Sequence, residues 1–480
     1  MNSFLINPLP VAVIGAGPIG LAAAAHLVER GIAVEIFESG DRIAANLESY
    51  RHVRLFSPWM YNVDGTAARL LTEEMGWTRP QSDVLPTAGE IIDDYLLPLS
   101  RIEKIAHHLH LSARVLGVSR EGFDKVKTRG RESAPFILRV RLPSGVEEFR
   151  ASAVIDATGT WSQANSMGAH GLPALGEEEN ADQIRYGMPD ILGEERANYL
   201  GKKVLVVGSG HSAVGSLLAL AELAEQDSAT HIVWAVRGQD ISKVFGGGVA
   251  DGLPARGALG LRLRALVDGG RLEIHQGFKI RSISRHAHQM NVEALNLHLP
   301  GIYGVDRIVA ATGARPDHSI TRELRTEHDP WLESTVQLAP LIDPNEHSCG
   351  SVRPHGHREL SHPEVGFYAI GAKSYGRAPN FLMATGYEQA RSVVAAIAGD
   401  IEAADAVRLE LPQTGVCSSR LPGADDTIPA GCCAPSQTNA ASANSCKPKL
   451  APSNTTTSAG LCSVASCAPT PTESVSRCCG

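Results

Sequence analysis

Gly15, Gly17 and Gly20 stand in the G-x-G-x-x-G spacing, and Gly208, Gly210 and Ala213 repeat it as G-x-G-x-x-A. Each set follows a short apolar run and opens an Ala- or Leu-rich stretch. Strand, glycines and helix in that order make a phosphate-binding turn. The first glycine allows the tight turn, the second has no Cβ to block a pyrophosphate, and the third lets helix and strand pack closely. The helix N-terminus adds free N–H groups and a positive dipole end. Pro18 and Ser212, inside the two turns, join the candidate cofactor contacts, whereas His211 reads as a spacer.

The residue closing each following strand separates the two units. In the first, Glu38 is placed to accept hydrogen bonds from ribose hydroxyls, and Arg42 to reach the phosphates. In the second, the run HIVWAV ends at Arg237 where the first unit has its acid. An arginine there accommodates a 2′-phosphate and favours NADPH over NADH. Two A-T-G turns add Thr158, Gly159, Thr312 and Gly313, where backbone approaches a ligand at a sheet's carboxyl edge. Gly371 and Lys373 complete the set, in a loop before a helix whose N-terminus could face an electron-rich ring.

These residues need strands and helices in alternation to hold them. Strands are expected at 11–14, 33–37, 111–118, 153–157, 204–207, 306–311 and 366–370, with a hairpin pairing 136–142 and 147–151. Residues 85–111 carry helical periodicity, which Pro98 bends or ends. The stretch RLFSPW at 54–59 could lie against a ring system or pack in the core. The fold class is therefore α/β with two Rossmann-like dinucleotide-binding domains. A length of 480 residues has room for them, and a net charge of −8 argues against nucleic acid or an anionic membrane as the main partner. Residues 11–28 are apolar enough to suggest a membrane span, but the phosphate-spaced glycines and His26 speak against one. No secretory signal opens the chain, which points to the cytoplasm.

Taken together, Gly15-Gly17-Gly20, Glu38, the two A-T-G turns, Gly208-Gly210 and the Gly371 segment resemble the two-dinucleotide flavoproteins. The resemblance implies FAD in a discontinuous domain, with an NADPH domain inserted. The corresponding boundaries are 1–165 and 306–410 for the FAD domain, 166–305 for the NADPH domain and 411–480 for a tail. ATGTW at 157–161 is similar to the flavin-containing monooxygenases. RLFSPW, RIVAATGARPD and GFYAIGAKSYGRAPNFLMATGYEQ are similar to flavin monooxygenase-like proteins of arsenic-resistance gene clusters. Two family features are missing. Aligning the F-x-G-x-x-x-H-x-x-x-[YFW] signature on Gly176 puts Ala174, Asn180 and Ile184 at its other positions, against Baeyer–Villiger chemistry. No C-x-x-C or C-x-x-x-x-C pair precedes residue 417, so the tail would have to supply the thiols of a disulfide mechanism.

Eight of the nine cysteines lie at or beyond position 417, in a Ser-, Thr-, Ala- and Pro-rich tail with no aromatic residue. Such a tail cannot bury enough apolar surface to offset its ordering entropy and is expected to be disordered. Its vicinal pairs Cys432-Cys433 and Cys478-Cys479 suit a thiophilic ion such as As(III), Hg(II) or Cu(I), or a redox pair. Cys349, His355 and His357 form a second soft-ligand group that could line a substrate pocket.

Three activities fit these features. The favoured one is an FAD- and NADPH-dependent monooxygenase that forms a peroxyflavin and oxygenates a soft nucleophile: trivalent arsenic, a thiol or an amine. The alternatives are an NADPH-dependent reductase of a thiol-bound metal ion or disulfide working through tail cysteines, and a non-enzymatic metalloid-binding protein. The partners implied are a small-molecule or metalloid substrate and O2, with no membrane; a homodimer is left open.

Overall fold

In this computed structural model the described residues are 9–248, 251, 253–346, 355–379, 381–406 and 409. Cys349, Cys432, Cys433, Cys478 and Cys479 lie outside them, as does the whole of 411–480. Two parallel five-stranded sheets carry the chain. The first has the order β16-β7-β1-β2-β3, built from Phe367–Ala369, Ala153–Asp156, Val11–Ile14, Val34–Phe37 and Leu109–His110. The second has the order β11-β10-β9-β15-β8, from Glu273–His275, His231–Ala235, Lys203–Val207, Arg307–Ala310 and Ile184–Tyr186. All five strands of the second sheet fall in the sequence interval between β7 and β16. The expected boundary between 305 and 306 needs one correction: β15 pairs with β9, Arg307 beside Val204, and so belongs to the second sheet.

Apolar strands buried on both faces explain why these sheets are parallel and helix-covered. Val11 to Ile14 and Val204 to Val207 are all buried. The helix Pro18–Glu29 crosses from β1 to β2, and its Ala22 to Ala25 are fully shielded. Methyl-sized side chains let it lie close to the sheet while the helices Gly65–Met75 and Met383–Ile397 pack over it. The helix His211–Gln226 makes the equivalent crossing in the second sheet. Two antiparallel sheets flank the parallel ones: Arg114–Arg120 with the hairpin Phe136–Leu142 and Gly145–Ala151, and Ile280–His286, Gln289–Ala294 and Ile302–Val305.

The helical stretch expected within 85–111, bent or ended by Pro98, is present as short pieces. A capped turn at Ala88–Ile91 widens to a π-turn over Ile92–Leu96 and resumes at Leu97–Ser100. Pro98 has no N–H to offer the carbonyl of Asp94, and the Trp77 indole donates to that oxygen instead, at 2.8 Å. No helix among the described residues is long and apolar enough to cross a membrane.

Candidate functional site

The first glycine turn is shaped by backbone contact. Gly15 has φ +99°, and a Cβ on it would stand 2.9 Å from the Ala157 carbonyl oxygen. A Cβ on Gly20 would meet the Gly15 carbonyl oxygen at 1.9 Å, so only glycine brings the helix this near. Gly17 differs, because a Cβ there would meet nothing within 4 Å. Its open side faces a cavity of about 710 Å³, at the N-terminus of the helix Pro18–Glu29.

That cavity gathers much of the expected set. Gly15, Gly17, Pro18, Glu38, Thr158, Gly159, Gly371 and Lys373 line it. Gly20 supports the turn from behind. Glu38 is buried, one oxygen accepting the Ala16 N–H and the other the Gly40 N–H, both at 2.8 Å. The Ser39 hydroxyl also donates to the Gly40-bound oxygen, at 3.4 Å, so the oxygen held by Ala16 keeps a lone pair: the acid ties the turn to the end of β2 and can still accept from a ligand. Arg42 is elsewhere: its exposed guanidinium lies 3.4 Å from Asp41 and from Glu48, outside the cavity lining.

The rest of the cavity lining is aromatic and charged. Tyr50 and Trp161, with ring centroids 4.7 Å apart, line it together with Leu55, Phe381 and Met383. Lys373, 2% exposed, holds its Nζ 2.6 Å from Asp156 Oδ2 and 2.9 Å from Thr158 Oγ1. Asp317 lines the same wall. Burial pushes its carboxyl up, but hydrogen bonds from Ser319 and the nearby Lys373 charge hold it below the usual carboxylate range.

The second glycine turn repeats the design. Gly208 has φ +128°, with a Cβ position 2.2 Å from the Ala311 carbonyl oxygen, while Gly210 is again open. Ser212 lies in the first turn of the following helix. Register corrects the expected equivalence of Arg237 and Glu38. The Gly15 N–H donates to Phe37 and the Gly208 N–H to Ala235, so the position matching Glu38 is Val236, which is buried. Arg237 is one residue further on and exposed.

Thr312 and Gly313 are engaged with the other crossing. The Thr312 hydroxyl donates to the Asn165 carbonyl, and the Asn165 N–H donates to Gly313 at 2.9 Å, beside an Ala164–Ala314 bridge. The expected substrate contacts His355 and His357 do not line the cavity. His355 is buried against Gln389, 2.8 Å away, and His357 meets Asp405 at 2.9 Å. Both are held by polar partners within the packing around the last helices. No group of three or more His, Cys, Asp or Glu side chains among the described residues could hold a metal ion.

Sequence reading missed two contacts. Phe56 packs on His211, with centroids 5.0 Å apart, bringing RLFSPW to the second glycine turn. The other is Asp156, a fully buried acid in an apolar strand directly before Ala157-Thr158-Gly159. Its placement inside that strand was the available signal.

Residues 13–75 match the family model of the NAD(P)-binding Rossmann-like domain. Ferredoxin–NADP reductase of Streptococcus pyogenes is 30% identical over 223 residues, 46% of this chain and 53% of that protein. The chain thus spans about half the length of the curated relatives it matches. Bacillithiol disulfide reductase Bdr of Bacillus cereus superposes with a TM-score of 0.60 at 19% identity, over 82% of this chain and 99% of the other. The FAD-bound cadaverine monooxygenase of desferrioxamine biosynthesis from Erwinia amylovora gives 0.59 at 14% identity, over 88% and 100%. The fold is that of the two-dinucleotide-binding flavoproteins, as the glycine turns lead one to expect. It is common to monooxygenases and disulfide reductases.

Proposed function

We propose that this chain is an FAD- and NADPH-dependent oxidoreductase, and within that class a monooxygenase acting on a soft nucleophile such as trivalent arsenic, a thiol or an amine. The observation that carries the reading is one cavity of about 710 Å³ lined by Gly15, Gly17, Glu38, Thr158, Lys373 and Trp161. Its size suits a large ligand, and its glycine end offers the backbone approach a pyrophosphate needs. Gly15, Gly17, Pro18 and the helix N-terminus would hold the phosphates of FAD, Glu38 its ribose, and Thr158, Gly159, Gly371 and Lys373 would contact it beside the turn. The bound flavin would supply two-electron and O2 chemistry. Gly208, Gly210, Ser212 and Arg237 would hold NADPH, whose use fits a cytoplasmic setting. The chain's own part is to align the two ligands, wall off water with Trp161, Tyr50, Phe381 and Met383, and fix the charge along the cavity wall.

Oxygenation is favoured over disulfide reduction because no cysteine precedes residue 349. The vicinal tail pairs are proposed to capture a thiophilic substrate. The test is NADPH oxidation by the purified yellow protein, with oxygen uptake followed with and without arsenite, thiols and amines. Substrate-coupled oxygen uptake without matching peroxide release is the expected result. A chain ending at residue 410 should then keep turnover at saturating substrate. Turnover only without oxygen, on disulfides, and lost in that shortened chain would replace the monooxygenase by the reductase.

A further inference from the structure

Gln389 is fully buried, at 0% exposure, on the helix Met383–Ile397, whose first residue lines the first cavity. Its amide meets three neighbours. Oε1 accepts the Gly371 N–H at 2.7 Å, and Nε2 lies 3.0 Å from Ser374 Oγ and 2.8 Å from His355 Nε2. Gly371 and Ser374 belong to the short turn Gly371–Tyr375, which presents Gly371, Ala372 and Lys373 to the cavity. His355, 3% exposed, comes from the segment that precedes β16.

The donor and acceptor roles in this network are forced. A backbone N–H can only donate, so the Gly371 contact fixes which end of the amide is oxygen. The amide nitrogen then points its two hydrogens at Ser374 Oγ and His355 Nε2. Ser374 can accept because its own hydroxyl donates to the Gly371 carbonyl at 2.8 Å, nearer than Gln389 Oε1 at 3.3 Å. His355 can accept only with Nε2 unprotonated, so the ring is neutral and carries its hydrogen on Nδ1. A proton on Nε2 would set two donors face to face. Turning the amide over would move that conflict to Gly371, whose N–H would then meet the NH2. A charged His355 is therefore incompatible with the turn as it stands. The charged groups on the surrounding elements have partners of their own: Lys373 with Asp156, Glu388 with Arg391, His357 and Arg358 with Asp405, and Glu359 with the Gly356 N–H. Tyr375 packs against His355 with ring centroids 5.6 Å apart.

We propose that Gln389 is a positioning residue for the ligand of this cavity, holding the Gly371 turn in place, and that neutral His355 locks the Gln389 amide in the orientation that does so. A proton taken from solvent onto His355 Nε2 unlocks the amide, releases the Gly371 N–H and slackens the cavity wall. Only the identity of the ligand rests on the FAD reading above; the hydrogen-bond roles do not.

The test uses the full chain loaded with FAD, held well below its melting temperature, and follows flavin release by fluorescence between about pH 8 and about pH 5.5. Release from the wild type should quicken about tenfold toward the acid end, the effect of losing one buried hydrogen bond. His355→Gln offers an amide oxygen that accepts from Gln389 at every pH. It should flatten the profile and release FAD near the wild-type rate at the alkaline end. Gln389→Glu should flatten it too, because a carboxylate accepts from the Gly371 N–H and from a protonated His355 alike. Gln389→Leu should release FAD about tenfold faster throughout, with no acid limb. A role confined to packing would loosen FAD in all three variants and leave the acid slope in place. That result overturns the proposal, as does a flat wild-type profile. Should Gln389→Leu fail to fold, His355→Gln decides: an unchanged acid limb rejects it. A wild-type chain that takes up no FAD at any pH would remove the flavoprotein reading, and this proposal with it.

Discussion

The two glycine turns share a plan and differ in how they end. In both, the first glycine is pressed against a neighbouring carbonyl and the second is open. The first unit then closes in: Gly20 lets the helix approach to where a Cβ would clash, and Glu38 is buried with both oxygens on backbone N–H groups. The second unit has Ala213 for Gly20, Val236 for Glu38, and a cation one residue later on an exposed position. An enclosed, acid-ended turn suits a ligand that stays. An open turn ending in an exposed arginine suits one that comes and goes and carries an extra phosphate. The difference in enclosure is the physical basis for assigning a resident and an exchanging nucleotide.

Filling the open glycines should break the comparison most cleanly. Gly17→Val and Gly210→Val both point into free space and both have extended backbone, so each variant should fold with a near-native melting temperature. Gly17→Val should lose FAD by two orders of magnitude or more, about 3 kcal/mol, since phosphate hydrogen bonds are blocked. Gly210→Val should stay yellow and lose reduction by NADPH. Flavin absorbance after gel filtration and anaerobic NADPH titration read the two outcomes. Equal loss of FAD in both would erase the distinction.

Acid should separate the units next. His328 has both ring nitrogens buried without a hydrogen-bond partner and stacks on His318 at 3.8 Å, with His362 at 5.2 Å. Burial, with the neighbouring imidazoles, pulls His328 down to about 3 and His362 to about 4. These groups bind protons more readily when unfolded, near pH 6.5, so their stabilising share is complete above that value. It is lost as pH falls toward 4 and then 3, at up to about 1.4 kcal/mol per pH unit for each proton. A thermal melt series from pH 7 to 4 should fall on this slope, and His328→Phe should flatten it. An unchanged slope in the variant would show that another group governs the acid limit.

Glu38→Ala gives a smaller effect. It strands two N–H groups and should cost about 2–3 kcal/mol of stability, with a matching loss of FAD retention. Val236→Ala, the matching position, should leave FAD retention unchanged.

The first turn was legible because glycine spacing, apolar strand and acid all fall within 28 residues of sequence. The second was read one residue out of register. The apolar run extends past the last paired residue, Ala235, to Val236, so composition hides where the strand ends. Asp156 and Lys373 were beyond reach in another way, because pairing between residues 217 positions apart follows from sheet order, β16 beside β7, and not from local pattern. The same holds for Phe56 on His211. The histidines at 355 and 357 looked like ligands because they are close in sequence. Packing instead gives each a separate partner, Gln389 and Asp405.

Register makes the last prediction sharper than residue type alone could. If Arg237 stood where Glu38 stands, its guanidinium would start from a buried position and compete with the glycine turn for space. One residue later it is exposed and forms no ion pair among the described residues, so it is free to swing onto a phosphate at the rim. A solvent-exposed contact of this kind contributes about 1 kcal/mol, less than a buried bidentate one. Arg237→Ala should therefore raise KM for NADPH about five- to tenfold, leave KM for NADH unchanged, and leave kcat nearly intact. Val236→Arg in that background should not restore the preference, because Val236 packs in the apolar cluster under the second turn and a guanidinium there is costly to bury. If it does, the side chain at 236 reaches the ligand as Glu38 is proposed to in the first cavity, and the contact assigned to Arg237 is wrong.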